Sequence, residues 1–154
     1  MCFNKNKPIK LGQIKNNKLE KFSKSLTWDL DFSICVFLRD SLKEFKKVKI
    51  GYPAFLQKEY PKEEDAVAYY DSVIDEIIEG FDYYLKDSYD LLSVENMLIF
   101  ADFSERFPTP EEIKSVFTEI DEIEKEKAKK LERSFDLLKE WHPSFWIWGE
   151  VCII

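Results

Sequence analysis

From Glu63 to Lys86 the chain reads EEDAVAYYDSVIDEIIEGFDYYLK, and the spacing of its apolar residues decides the fold class. Val67, Tyr70, Ile74, Ile77, Phe81 and Leu85 recur at steps of three and four, the period of one face of an α-helix. Upstream, Trp28 to Lys47 repeats the pattern through Leu30, Ile34, Phe37, Leu38, Leu42 and Phe45. Between the two stretches lies Lys49-Ile50-Gly51-Tyr52-Pro53, a stop signal in which Gly51 and Pro53 prevent continuation. Two helices over about 28–47 and 63–86, joined by a turn, therefore form an antiparallel pair.

Working outward, Thr27 or Asp29 can cap the first helix, and Lys43, Lys46 and Lys47 suit the negative end of its dipole. Glu63, Glu64 and Asp65 favour the positive end of the second. Gly80 interrupts that helix at about 1 kcal/mol against alanine, which close approach of another helix or of a bulky aromatic would explain. Val94, Met97, Leu98, Phe100, Ala101 and Phe103 support a shorter helix from Ser93. Thr109, Pro110 and Glu112 then read as N-cap, first-turn proline and capping-box acid of a long last helix. Its stripe is expected at Ile113, Phe117, Ile120, Ile123, Leu131, Phe135 and Leu138. The charged run Glu122 to Lys130 is expected to meet solvent, and Pro143 to kink or end the helix. The whole is an all-α protein of about four helices, an antiparallel bundle with a long C-terminal helix and minimal sheet.

With 154 residues, 45% hydrophobic and 16% aromatic, the chain can bury a core without disulfide or metal staples. Four glycines and six prolines argue against a β-rich chain with many tight turns and against a glycine-rich phosphate loop. Cys2, Cys35 and Cys152 form no CxxC pair, so a reducing cytoplasm is the expected compartment. No apolar run approaches a membrane span or a secretory signal, so no membrane partner is expected.

The net charge of −7 hides a division. Up to Ser25 seven lysines, among them Lys15, Lys18 and Lys21, stand against Glu20 alone, giving +6; the remainder carries −13. Residues 1–25 read as a basic N-terminal arm and 26–154 as a single helical domain. The plain reading of the arm is a solvated, poorly ordered segment. The sharper one is an arm that folds onto an acidic surface, its own or a second copy's, with Ile9, Leu11, Ile14, Leu19 and Phe22 as anchors, so a homo-oligomer is one expected partner state. Nucleic-acid binding through the lysines ranks third, because the acidic body repels phosphates.

Catalytic signatures are sparse. His142 is the sole histidine and has no triad or zinc-ligand pattern around it, and no serine sits in a nucleophile motif. The best chemical candidates are Asp71, Asp75 and Glu79, which with Asp82 follow steps of four, four and three and so line one helix face. Such a row could hold Mg2+. All-α nucleotide pyrophosphatases use helix-borne carboxylates in this way, pairing E-x-x-E with E-x-x-D. Here Glu76-x-x-Glu79 is matched only by another E-x-x-E, Glu119 to Glu122. A solvated acidic face is the plainer reading, and no cofactor or metal is expected outside that alternative. The aromatic tail Trp141, Phe145, Trp146 and Trp148 reads first as core or interface, second as a stacking platform for an anionic ligand.

Three segments carry a resemblance: Trp28-Asp29-Leu30-Asp31, Gly51-Tyr52-Pro53, and Ile74-Asp75-Glu76-Ile77-Ile78-Glu79-Gly80-Phe81. With the tail Leu131 to Trp148 they resemble an uncharacterised group of helical proteins encoded by bacteriophages and mobile elements. In that group a W-D helix, a G-Y-P turn and a D-E-M-I-like helix precede a long C-terminal helix. The resemblance implies provenance, hence a host cytoplasm, and no activity. The leading expectation is a non-enzymatic phage-type accessory protein that acts by binding, either inhibiting a host protein or sequestering a small anionic ligand. The alternatives are a metal-dependent nucleotide hydrolase and a nucleic-acid binder.

Overall fold

The computed structural model describes residues 13–15, 18–20, 29–103 and 105–146, the arm strands and Trp146 by backbone alone. Four α-helices build the body: α1 (Leu30–Val48), α2 (Glu63–Tyr84), α3 (Val94–Asp102) and α4 (Pro110–Trp146). Short 3-10 turns, Ala54–Lys58 and Ser88–Leu91, lead into α2 and α3. Among the described residues the strands are confined to the arm, where β1 (Gln13–Lys15) pairs antiparallel with β2 (Lys18–Glu20), Ile14 opposite Leu19. The all-α fold with its long C-terminal helix is as the periodicity predicts. No helix among the described residues is long and apolar enough to cross a membrane.

The caps are largely the expected ones. Gly51 takes φ 78°, the left-handed turn that breaks the chain after α1. At α4, the Glu112 amide donates to Thr109 Oγ1 (3.2 Å) and the Thr109 amide to Glu112 Oε2 (2.9 Å), a closed capping box. Arg106 adds two bonds to the same carboxylate, 2.8 and 2.7 Å. Asp29 stands at the N-cap of α1, but its side chain makes no cap bond; its carbonyl accepts the Ser33 amide at 3.0 Å. Thr27 lies outside the described residues. Pro143 lies inside α4, which runs on to Trp146 without ending there.

At about 1.5 Å per residue the 37 residues of α4 span about 55 Å and join two cores. The larger lies between α1, α2 and the C-terminal half of α4, with Ile74, Ile77 and Phe81 wholly buried beside Leu137 and Trp141. The smaller sits at the other end, where Leu92 before α3, Ile99 within it and Phe103 just after it cover Val116 and Ile123. At Gly80 α2 comes close against α4: a Cβ there would stand 1.8 Å from Ser134 Oγ and 2.9 Å from the Lys130 carbonyl oxygen. Ser134 is buried and donates to the Ile77 carbonyl at 3.2 Å.

Three expectations about which face is buried need correction. On α1, Leu42 is buried and Leu38 and Phe45 pack against the core, but Leu30, Ile34 and Phe37 face out, and Cys35 takes the inner place. On α4, Phe117 is 57% exposed and Ile113 and Phe135 also remain open, because the inner line runs Val116, Ile123, Lys127, Ser134, Leu137, Trp141. Nor is the charged middle of α4 wholly solvated. Lys127 is buried, and its ammonium donates to the Lys86 carbonyl and Ser88 Oγ, both at 2.9 Å, with Ser88 also bonded to Glu124. A buried lysine is tolerated there because its donors are met.

Candidate functional site

The acidic row does form one face of α2, and α1 meets it with a matching row of bases. Arg39, Lys43 and Lys46 on α1 and Lys49 at its C-cap follow steps of four, three and three. In antiparallel order, Lys49 reaches Asp71 (3.0 Å), Lys46 reaches Asp75 (2.7 Å), and Lys43 and Arg39 reach Asp82 (2.9 and 3.3 Å). The hydrogen bond from Lys46 to Asp75 raises the Lys46 pKa. Lys49 is the most enclosed, its side chain 9% exposed and its ammonium 5.1 Å from the Tyr70 ring centroid. Asp71 Oδ1 receives no aligned hydrogen bond, so this contact is an ion pair alone.

The row is therefore a half-enclosed salt ladder between helices rather than a carboxylate face open to water. A divalent cation at Asp71 and Asp75 would have to displace two ammonium groups. Among the described residues no group of three or more His, Cys, Asp or Glu side chains is placed to hold a metal ion. Glu79 stays exposed on the rim of a groove of about 530 Å³ that also meets Arg39, Asp82, Tyr83, Lys86 and Lys130. The two E-x-x-E elements are not brought together. Glu76 pairs with Arg133 at 2.9 Å, whereas Glu119 lies fourteen residues earlier on α4, about 21 Å along the axis.

The aromatic tail is divided. Trp141 is 7% exposed, its ring within 5.5 to 6.0 Å of Phe55, Tyr69 and Tyr70 by centroid. Phe145 meets Phe45 edge-on at 5.3 Å and Tyr70 at 6.3 Å. Both thus belong to the core that closes α4 over α1 and α2, with their ring faces taken up by neighbours. Trp148, Lys21 and the side chains of Trp146, Lys15 and Lys18 lie outside the described residues. His142 is exposed.

The helix expected from Ser93 is α3, with Ser93 as its N-cap; what the sequence did not show is which of its faces turns inward. Of the apolar residues that marked it, Val94, Met97 and Leu98 form the outer face, respectively 75%, 42% and 62% exposed. The inner face holds Ile99, Phe103 and a buried polar residue, Asn96. Asn96 donates to Glu119 (2.5 Å) and accepts from Ser115 Oγ (2.9 Å), while the Ser93 amide and hydroxyl donate to the same Glu119 carboxylate (2.7 and 2.9 Å). These donors, Asn96 foremost, hold the Glu119 carboxyl below its ordinary pKa. A polar joint thus fixes α3 to α4 with its apolar stripe turned outward. The signal was present: apolar residues lie nearly all round α3, and a helix of that composition is covered on more than one side.

No family model matches the chain, and neither the curated proteins nor the solved structures yield a match.

Proposed function

We propose that this protein is a non-enzymatic accessory protein that works by binding another protein, and that the outer face of α3 is its contact surface. The supporting observation is the stripe Val94, Met97 and Leu98, turned outward by the Asn96–Glu119 joint on the inner side of α3. Contiguous exposed apolar surface on a folded domain marks an interaction site more often than chance. On the resemblance to phage and mobile-element proteins, that partner belongs to a host cytoplasm. The hydrolase alternative loses support from the salt ladder, since Asp71 and Asp75 are already neutralised by Lys49 and Lys46.

The test compares the full-length protein with its Met97→Ser/Leu98→Ser variant, both immobilised and exposed to bacterial lysate. A protein retained by the first and lost from the second supports the reading. A magnesium-dependent nucleotide hydrolysis abolished by Asp71→Asn, in a chain that still folds, would replace it.

A further inference from the structure

We propose that the segment docking on the outer face of α3 is basic around an apolar centre, a partner chemistry that rests on the binding role above. The apolar part is met by Val94, Met97 and Leu98, at helical steps of three and one. The basic part follows from where the chain keeps its charge. Residues 87 to 126, which build α3, its flanking turns and the first half of α4, hold twelve acids against Arg106, Lys114 and Lys125. That is −9 of the −13 carried by residues 26 to 154.

Part of this charge is consumed internally. Glu112 and Asp102 meet Arg106, Asp121 meets Lys125, Glu124 meets Lys127 and Ser88, Glu126 meets Lys130, and Glu119 takes the Ser93 and Asn96 donors. Glu95, on α3 itself, is exposed beside the stripe, and the whole end of the molecule keeps an acidic excess. An acidic rim attracts lysine and arginine and repels like charge. Two copies meeting through this face would bring two acidic ends together, and nucleic acid or an anionic membrane would be repelled in the same way. A segment with basic residues on either side of leucine-like anchors satisfies both the apolar stripe and its rim.

The probe is a fluorescent amphipathic peptide of leucine and lysine, titrated into the full-length protein and followed by anisotropy. Companion peptides replace lysine by glutamate, or leucine by serine. Binding of the leucine–lysine peptide alone is expected, weakened about tenfold or more by Met97→Ser/Leu98→Ser and again by raising ionic strength from about 0.03 M to about 0.3 M. Phe37→Ser, on the exposed side of α1, should leave it unchanged. Should the double variant melt early, Val94→Ser, at the most exposed of the three positions, takes its place. Failure of the leucine–lysine peptide to bind, or equal binding by the α3 variant, overturns the proposal. Stripe-dependent binding of the glutamate peptide instead would overturn the partner chemistry while leaving the binding role standing. A dimer in sedimentation that dissolves on Met97→Ser/Leu98→Ser would assign the face to a second copy and overturn the proposal equally.

Discussion

Gly80→Ala sets two opposed effects against each other at one atom. In an exposed helix the change would stabilise α2 by about 1 kcal/mol, since glycine has the poorer helix propensity. Here the new methyl would stand 1.8 Å from Ser134 Oγ and 2.9 Å from the Lys130 carbonyl oxygen. Ser134 can rotate away, but doing so breaks its 3.2 Å bond to the Ile77 carbonyl, a loss of about 1 kcal/mol or more for a buried group. The Lys130 contact is with backbone, so α4 itself must shift, and overpacking of that kind costs about 1–3 kcal/mol. The net expectation is destabilisation by about 1–3 kcal/mol, a fall in Tm of several degrees. Urea denaturation followed by circular dichroism measures it through the midpoint at constant slope. Ser134→Ala in the Gly80→Ala background should recover part of the loss, because it removes the nearest atom while the Ser134 Cβ and the Lys130 carbonyl remain. A Gly80→Ala protein more stable than the wild type would show propensity winning and would refute the close contact between α2 and α4.

The salt ladder predicts a ranking in the same assay: Asp71→Asn should cost about 1–2 kcal/mol by leaving the enclosed Lys49 without its ion pair. Asp75→Asn should cost about 0.2–1 kcal/mol for a half-exposed pair, and Glu79→Gln, fully on the surface, less than about 0.5 kcal/mol; the reverse order would refute the ladder. The Arg106 hydrogen bonds, followed by the Thr109 amide, lower the Glu112 pKa to about 2. The capping box should therefore contribute at neutral pH, above the ordinary glutamate range, and be lost only as pH falls through about 2; carboxyl NMR should show that midpoint, and Arg106→Ala should raise it. Burial pushes the Cys35 thiol up to about 11, and its side chain is 2% exposed. Native protein at pH 8 should resist alkylation at Cys35 by peptide mass mapping, with modification appearing only in denaturant.

How much of this was legible in the sequence depends on how many neighbours each helix has. The stripe on α2 could be read directly because it is central: α1 lies on one side, α4 on the other, and Tyr70, Ile74, Ile77 and Phe81 all find cover. On α1 the same periodicity marked Leu30, Ile34 and Phe37 as core, yet its inner face is set by where the bases Arg39 to Lys49 meet the acids of α2. Those bases share one side of their segment, but that they face Asp71, Asp75 and Asp82 is a pairing between helices that the spacing of neither row specifies. Polar residues on the inner line of α4, Lys127 and Ser134, were not foreseeable either. Their burial depends on partners distant in sequence, the Lys86 and Ile77 carbonyls, which no local pattern reveals. Gly80 lies between these cases: its cost in a helix signalled close packing, but not which element approached.

The two ends of α4 are held by different physics, and this separates the part of the molecule that maintains the fold from the part that can serve a partner. At its C-terminal half, Trp141, Phe145 and Leu137 close over α1 and α2 through aromatic and aliphatic burial, reinforced by the Gly80–Ser134 contact. At its N-terminal half the core is small, and the joints are hydrogen bonds: Asn96 and Ser93 to Glu119, Lys127 to Ser88. Such joints fix orientation sharply, but each contributes about 0.5–1.5 kcal/mol for a neutral pair and at most about 3 kcal/mol where, as here, one partner is charged. Amide exchange should accordingly be slowest in α2 and the 131–141 stretch and faster in α3, since local opening follows buried apolar contact. A partner covering Val94, Met97 and Leu98 would supply the side of α3 that the chain leaves bare, and so should slow exchange in α3 while leaving α2 unchanged. Protection that instead rose equally throughout would mean that binding acts on the whole fold, and the separation of the two ends would be wrong.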